Sequence, residues 1–162
     1  MLRRSLSVLL PMVTVLALQA AGSAPASAAA YGCTGSLVRS WPLPLKDEIT
    51  KKTYYVSDIK LFYDARSGWN CAVLAKRPGD PRYGERTPMS IRMWNDTWPS
   101  EVVKDNIDAD DGHFKYHAGP VKVYGRKHCV SILARHGDYP GPDGPGGPKY
   151  NGRRLVEDVA CR

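Results

Sequence analysis

From residue 36 onward, short runs of alternating apolar and polar side chains recur along the chain, separated by turn residues. Alternation at period two marks a strand with one buried face, and no stretch sustains the 3.6-residue period of an amphipathic helix. Eight strands are predicted: Ser36 to Trp41, Thr53 to Tyr63, Trp69 to Lys76, Met89 to Asn95, His113 to Ala118, Val121 to Tyr124, Cys129 to Arg135 and Arg154 to Cys161. The second and third form a hairpin across Asp64-Ala65-Arg66-Ser67-Gly68, with Gly68 supplying the positive φ of the turn. In the fourth, Met89, Ile91 and Met93 face the core while Ser90, Arg92 and Trp94 face away. In the fifth, Phe114, Tyr116 and Ala118 point inward and His113, Lys115 and His117 outward, and Gly119-Pro120 then turns the chain into Val121. The fold class expected is all-β, a single small sandwich or barrel of about eight strands.

The first 30 residues break this pattern. They carry Arg3 and Arg4 but no acid, then an apolar stretch from Val8 to Leu18, then small residues that include Ala26-Ser27-Ala28 and Ala28-Ala29-Ala30. That order is the signature of a cleaved secretory signal peptide over 1–30. The apolar core is shorter than the roughly 18 residues of a membrane span, and Pro11 and Thr14 interrupt it. The expected product is a secreted, extracellular domain over 31–162 with no membrane segment. One stretch, 137–152, holds three successive Gly-Pro-x triplets and reads as a polyproline-II-like surface loop.

Export changes the meaning of the cysteines. Cys33, Cys71, Cys129 and Cys161 all lie in the exported part, an even count that reads as two disulfides with three possible pairings. The pairing favoured here joins Cys71 to Cys129, since each opens an apolar strand, and Cys33 to Cys161, which ties the two ends together. The cysteines are too widely spaced for a C-x-x-C zinc site.

Charge refines the picture further. Residues 31–162 carry 21 basic and 16 acidic side chains, a net +5. Asp96 to Asp111 holds six acids and one Lys, a local −5, so the remainder is +10. A basic surface with aromatics suits anionic polymers. Its Lys and Arg are scattered singly or in pairs such as Arg153-Arg154, so nucleic acid is not the expected partner. The outward residues His113, Lys115, His117, Lys122 and Tyr124, together with Trp98, are the candidate binding surface. Within the acidic segment Asn106, Asp108 and Asp110 supply oxygens in the order of a calcium loop. The sixth place is Asp111 rather than Gly and the twelfth is His117 rather than Glu, so calcium is a minor candidate beside a solvated acidic turn. His113 and His117, four apart on one strand, are about 13 Å apart and cannot share a metal ion.

No G-x-S-x-G, H-E-x-x-H or P-loop occurs. No cofactor is expected, and a hydrolase would need dispersed residues such as His136 and Asp138 to converge.

Several segments taken together resemble a known group: Tyr31-Gly32-Cys33-Thr34-Gly35-Ser36, then Leu61-Phe62-Tyr63-Asp64, Ser67-Gly68-Trp69-Asn70-Cys71-Ala72-Val73, and Tyr116-His117-Ala118-Gly119-Pro120-Val121 leading to Cys129-Val130. They are similar to the spore-associated protein A-like family of small secreted actinomycete proteins, over most of Tyr31 to Arg135. The resemblance implies export and association with the spore or cell envelope, and it carries no catalytic residues over. The chain departs from the family in His117, in its higher basic charge and in the Gly-Pro loop. The function expected is therefore that of a non-enzymatic secreted protein held at an extracellular, spore or cell-wall surface. A secreted protease inhibitor and a binding module for anionic wall glycopolymer are the alternatives.

Overall fold

The computed structural model describes residues 30–47, 49–99, 105–137 and 150–161. Nearly all of the expected signal peptide and most of the Gly-Pro loop, Asp138 included, lie outside the described residues. The fold is all-β, as the alternation requires. Its strands are β1 (Ser36–Lys46), β2 (Thr53–Asp64), β3 (Trp69–Lys76), β4 (Thr87–Asn95), β5 (Ile107–Phe114), β6 (His117–Tyr124), β7 (Val130–His136) and β8 (Gly152–Val159). Among the described residues no helix is long and apolar enough to cross a membrane.

All pairings are antiparallel, in the order β5-β4-β7-β8-β1-β2-β3-β6, and the two end strands lie side by side. The sheet is thus a nearly closed barrel. One face of every strand lines its interior: Leu43, Ile59, Leu61, Leu74, Met89, Ile91, Met93, Val121, Val123 and Ile132 are all fully buried. Each such side chain contributes about 1.5–3 kcal/mol by leaving water. The predicted β2–β3 hairpin forms as expected, with Gly68 at φ +81°.

Several expectations need correction. The stretch His113 to Ala118 is not one strand, because Lys115 and Tyr116 form the turn between β5 and β6. Tyr116 is consequently half exposed rather than inward, while Ala118 is buried. The acidic segment expected as a solvated turn is itself strand β5. Gly119-Pro120 does not turn the chain either. It forms a two-residue bulge opposite Val73, within a β6 that pairs with β3 on both sides of it.

The barrel has two seams where the ladder fails. Between β5 and β6, side chains replace it: the Gly119 amide donates to Asp110 Oδ2 at 2.7 Å and the Lys122 amide to Asp108 Oδ2 at 2.8 Å. The Tyr124 amide completes the row by donating to the Asp105 carbonyl at 2.9 Å.

Between β1 and β8 the ladder shrinks to one bridge, Leu45 with Gly152. The cause is in the sequence of β1. Trp41, Leu43 and Leu45 point inward, and the intervening Pro42 and Pro44 have no N–H to offer β8. The Pro42 carbonyl accepts instead from the Arg154 guanidinium at 2.7 Å. Gly152 makes the one bridge possible, since a Cβ there would lie 2.7 Å from Leu43 Cδ2 and 2.8 Å from the Pro44 oxygen.

The disulfides join Cys33 to Cys71 and Cys129 to Cys161, not the expected pairs. Three strands lie between β3, which carries Cys71, and β7, which Cys129 precedes, and the Cys71 side chain packs in an outer-face cluster with Cys33. Cys33 instead brings the N-terminal segment back over the outer face of β2 and β3, where Phe62, Cys71, Val73 and Ala75 form a second apolar cluster. Each end of the domain is stapled separately.

Both staples close loops of more than 30 residues (sequence separations 38 and 32), worth about 4 kcal/mol apiece by restricting the unfolded chain. Replacing Cys33 and Cys71 together by Ser is expected to lower the unfolding free energy in urea by about that amount. Gly152→Ala is expected to cost about 1–3 kcal/mol by prising apart the β1–β8 bridge. A variant that melts like wild type would contradict the corresponding account.

Candidate functional site

The residues expected to form one binding surface are divided between the two ends of β6. His113, Lys115 and His117 sit at the β5–β6 hairpin. There the His117 ring packs edge-on against Tyr31 at 5.4 Å and its Nδ1 donates to the Gly119 carbonyl at 3.2 Å. Tyr124 is at the opposite end, edge-on to Trp69 at 6.1 Å, and its carbonyl accepts from Asn95 Nδ2 at 2.9 Å. Trp98 is half-buried against Trp94, with ring centres 5.7 Å apart, so it does not stand free to stack on a ligand. Lys122 projects outward between the two groups.

The calcium candidate does not assemble. Asn106 is buried and donates to Thr97 Oγ1 at 3.2 Å, while Asp108 and Asp110 spend their carboxylates on the β6 amides. Among the described residues no three His, Cys, Asp or Glu are grouped to hold a metal ion. Two other acids of the segment are also committed. Asp111 accepts from the Tyr150 hydroxyl at 2.9 Å, and Asp96 accepts from His128 Nδ1 at 2.7 Å and the Cys129 amide at 3.1 Å. Desolvation raises the pKa of Asp96, but the Cys129 amide and His128 outweigh it and hold the carboxyl below its ordinary range.

What the barrel does bring together is a group of arginines scattered in sequence. Arg92 on β4, Arg135 on β7 and Arg153 on β8 lie between buried neighbours on their strands, or beside one, and therefore point outward. Ladder register makes Arg135 and Arg153 direct partners and sets Arg92 opposite Leu133, hence diagonal to Arg135. Directly opposed side chains start about 5 Å apart and diagonal ones about 7 Å apart. The next row along the face is Arg92, Leu133 and Leu155, so the cations border a small apolar strip. None of the three arginines has a side-chain hydrogen bond or ion pair among the described residues.

Two like charges directly opposite each other across a ladder destabilise it. Arg135 and Arg153 stand so opposed with no acid between them; the nearest acid on this face is Asp111 of β5, opposite Ser90 and diagonal to Arg92. The signal available in the sequence was the outward parity of each arginine. Their adjacency depends on β4, β7 and β8 being neighbours, which parity does not reveal.

His136, a candidate base, is buried at one end of the barrel. Its Nδ1 lies 3.0 Å from Ser57 Oγ and its Nε2 3.1 Å from Thr87 Oγ1, both hydroxyls fully buried. Beside it Lys76, also buried, donates from Nζ to the Arg82 and Glu85 carbonyls at 3.0 and 2.7 Å, and burial pushes its pKa down to about 8. Burial and the nearby Lys76 charge push His136 down to about 3. Buried and hydrogen-bonded at both ring nitrogens, His136 forms a polar plug with Ser57 and Thr87 at this end of the barrel.

No protein-family model, curated protein or solved structure matches the chain.

The plug has a pH signature. On unfolding His136 returns to an ordinary value of 6.5. The neutral form is favoured in the fold, so its stabilisation is complete above 6.5 and is lost as the pH falls toward 3. Across that range the unfolding free energy of wild type is expected to fall more steeply than that of His136→Gln, by roughly 1.4 kcal/mol per pH unit. Parallel profiles in urea titrations would show that His136 does not titrate in this way.

Proposed function

We propose that this chain is a non-enzymatic secreted barrel that is held at an extracellular, spore or cell-envelope surface by binding an anionic polymer on its β4–β7–β8 face. The observation that carries this reading is the group Arg92, Arg135 and Arg153, unpaired and adjacent on one sheet face. The spacing suits a polyanion with repeated phosphates or carboxylates, because guanidinium groups pair with such oxyanions in a planar fork and an exposed pair alone is worth little. Wall glycopolymers supply that chemistry. The sequence likeness to small exported spore proteins and the two disulfides are in keeping with such a location.

The protease-inhibitor reading has one observation in its favour. The β1–β2 turn displays Ile49, 91% exposed, on a loop braced by the Ile49 and Thr50 amides donating to Asp47 Oδ1 at 2.9 and 2.6 Å. The turn is tight, however, and the Lys51 amide folds back onto the Asp47 carbonyl at 3.0 Å, whereas a protease groove takes an extended segment.

Retention of the mature domain on isolated cell walls is expected to fall steeply between low and high salt. Arg92→Ala, Arg135→Ala and Arg153→Ala combined are expected to abolish it while leaving stability unchanged or raised by a few tenths of a kcal/mol, as the opposed charges are relieved. Salt-independent retention, or full retention of the triple variant, would refute the proposal. Inhibition of a serine protease at micromolar protein, lost in Ile49→Gly, would favour the inhibitor instead.

A further inference from the structure

The open seam between β1 and β8 has a consequence on a different part of the surface from the arginine face. Beyond the Leu45–Gly152 bridge the two strands part, and a cleft of about 550 Å³ opens between them. Two residues bracketing Val159 bend β8 away: Asp158 at φ +49° and Ala160 at φ +53° are left-handed, a conformation that L side chains adopt at a cost. The Ser131 hydroxyl accepts from the Asp158 amide at 3.2 Å and fixes the first of them. Val38 and Val159, half-buried, give the cleft apolar walls, with the core side chains Trp41 and Leu61 beneath them.

Its polar groups are one cation and one anion that do not meet. Arg39 lies over the Trp41 ring, its guanidinium carbon 5.6 Å from the ring centre, and has no ion pair. Asp158 also lines the cleft, and its carboxylate has no partner among the described residues. A pocket of this size with apolar walls and two separated, unpaired, opposite charges matches a ligand that carries both charges on an apolar body.

We infer that the β1–β8 cleft binds a short zwitterionic peptide with apolar side chains, its carboxylate on Arg39, its ammonium on Asp158 and its side chains against Val38 and Val159. This site is independent of the polymer-binding reading above. The cleft also leaves parts of two strand edges without a ladder, which an extended peptide could fill by strand addition. The unpaired charges favour the zwitterion, because strand addition would use neither.

Calorimetric titration of the intact mature protein separates these. The probe is the dipeptide Leu-Leu, set beside N-acetyl-Leu-Leu, which lacks the ammonium, and Leu-Leu-amide, which lacks the carboxylate. Leu-Leu is expected to bind saturably and each modified form about tenfold more weakly or worse, since each loses a charge-assisted contact. Arg39→Gln is expected to erase the discrimination against the amide, and Asp158→Asn the discrimination against the acetylated form. Both side chains are exposed, and unchanged melting confirms that the variants fold; should either fail to, the ligand series decides alone. Absence of saturable binding, equal affinity for the three dipeptides, or tighter binding of a pentapeptide capped at both ends would overturn the proposal, the last in favour of strand addition.

Discussion

Where β5 meets β6 no backbone ladder forms, and the amides of Gly119 and Lys122 donate to the side chains of Asp110 and Asp108 instead. Everything enclosed by the barrel depends on that substitution. Without it the sheet would end in two unpaired edges, an open ladder of donors and acceptors beside an apolar face. With it, ten large apolar side chains stay out of water. A carboxylate suits the task because it accepts from an amide more strongly than a carbonyl does.

This use of the acids explains how the charge is laid out. Asp96, Asp108, Asp110 and Asp111 all hold the fold together, through His128 and Cys129, the β6 amides and Tyr150. Those carboxylates are engaged within the fold, while Arg135 and Arg153 face each other across the ladder without an ion pair among the described residues. The lopsided charge of the chain is thus a division of labour between acids that close the barrel and bases that remain on its surface.

The second seam follows a different logic. Prolines at 42 and 44 remove the donors that β8 would need, and Arg154 and Gly152 supply only a local replacement. One end of the interior is sealed by the Ser57, His136 and Thr87 hydrogen bonds, with Lys76 beside them. Along the β1–β8 seam the wall opens into a cleft instead.

Much of the fold was legible in the chain. Period-two alternation identified the strands, the inward face of β4 and the Gly68 hairpin, because side-chain parity and turn chemistry are local. The error at His113 to Ala118 arose because Phe114 and Ala118, four apart, both face the core, so the alternation continues through the turn. The acidic stretch was misread because its carboxylates bind backbone groups of another strand. Cysteine pairing, the arginine face and the cleft were not legible, since each depends on which strands become neighbours. The sequence by itself determined that the chain alternates, where it turns and which side chains face outward. Only the tertiary structure decided that β4, β7 and β8 lie side by side, that Cys33 reaches Cys71, and that β1 and β8 part beyond a single bridge. Those outcomes follow from closing a whole sheet, and no local window of residues contains that constraint.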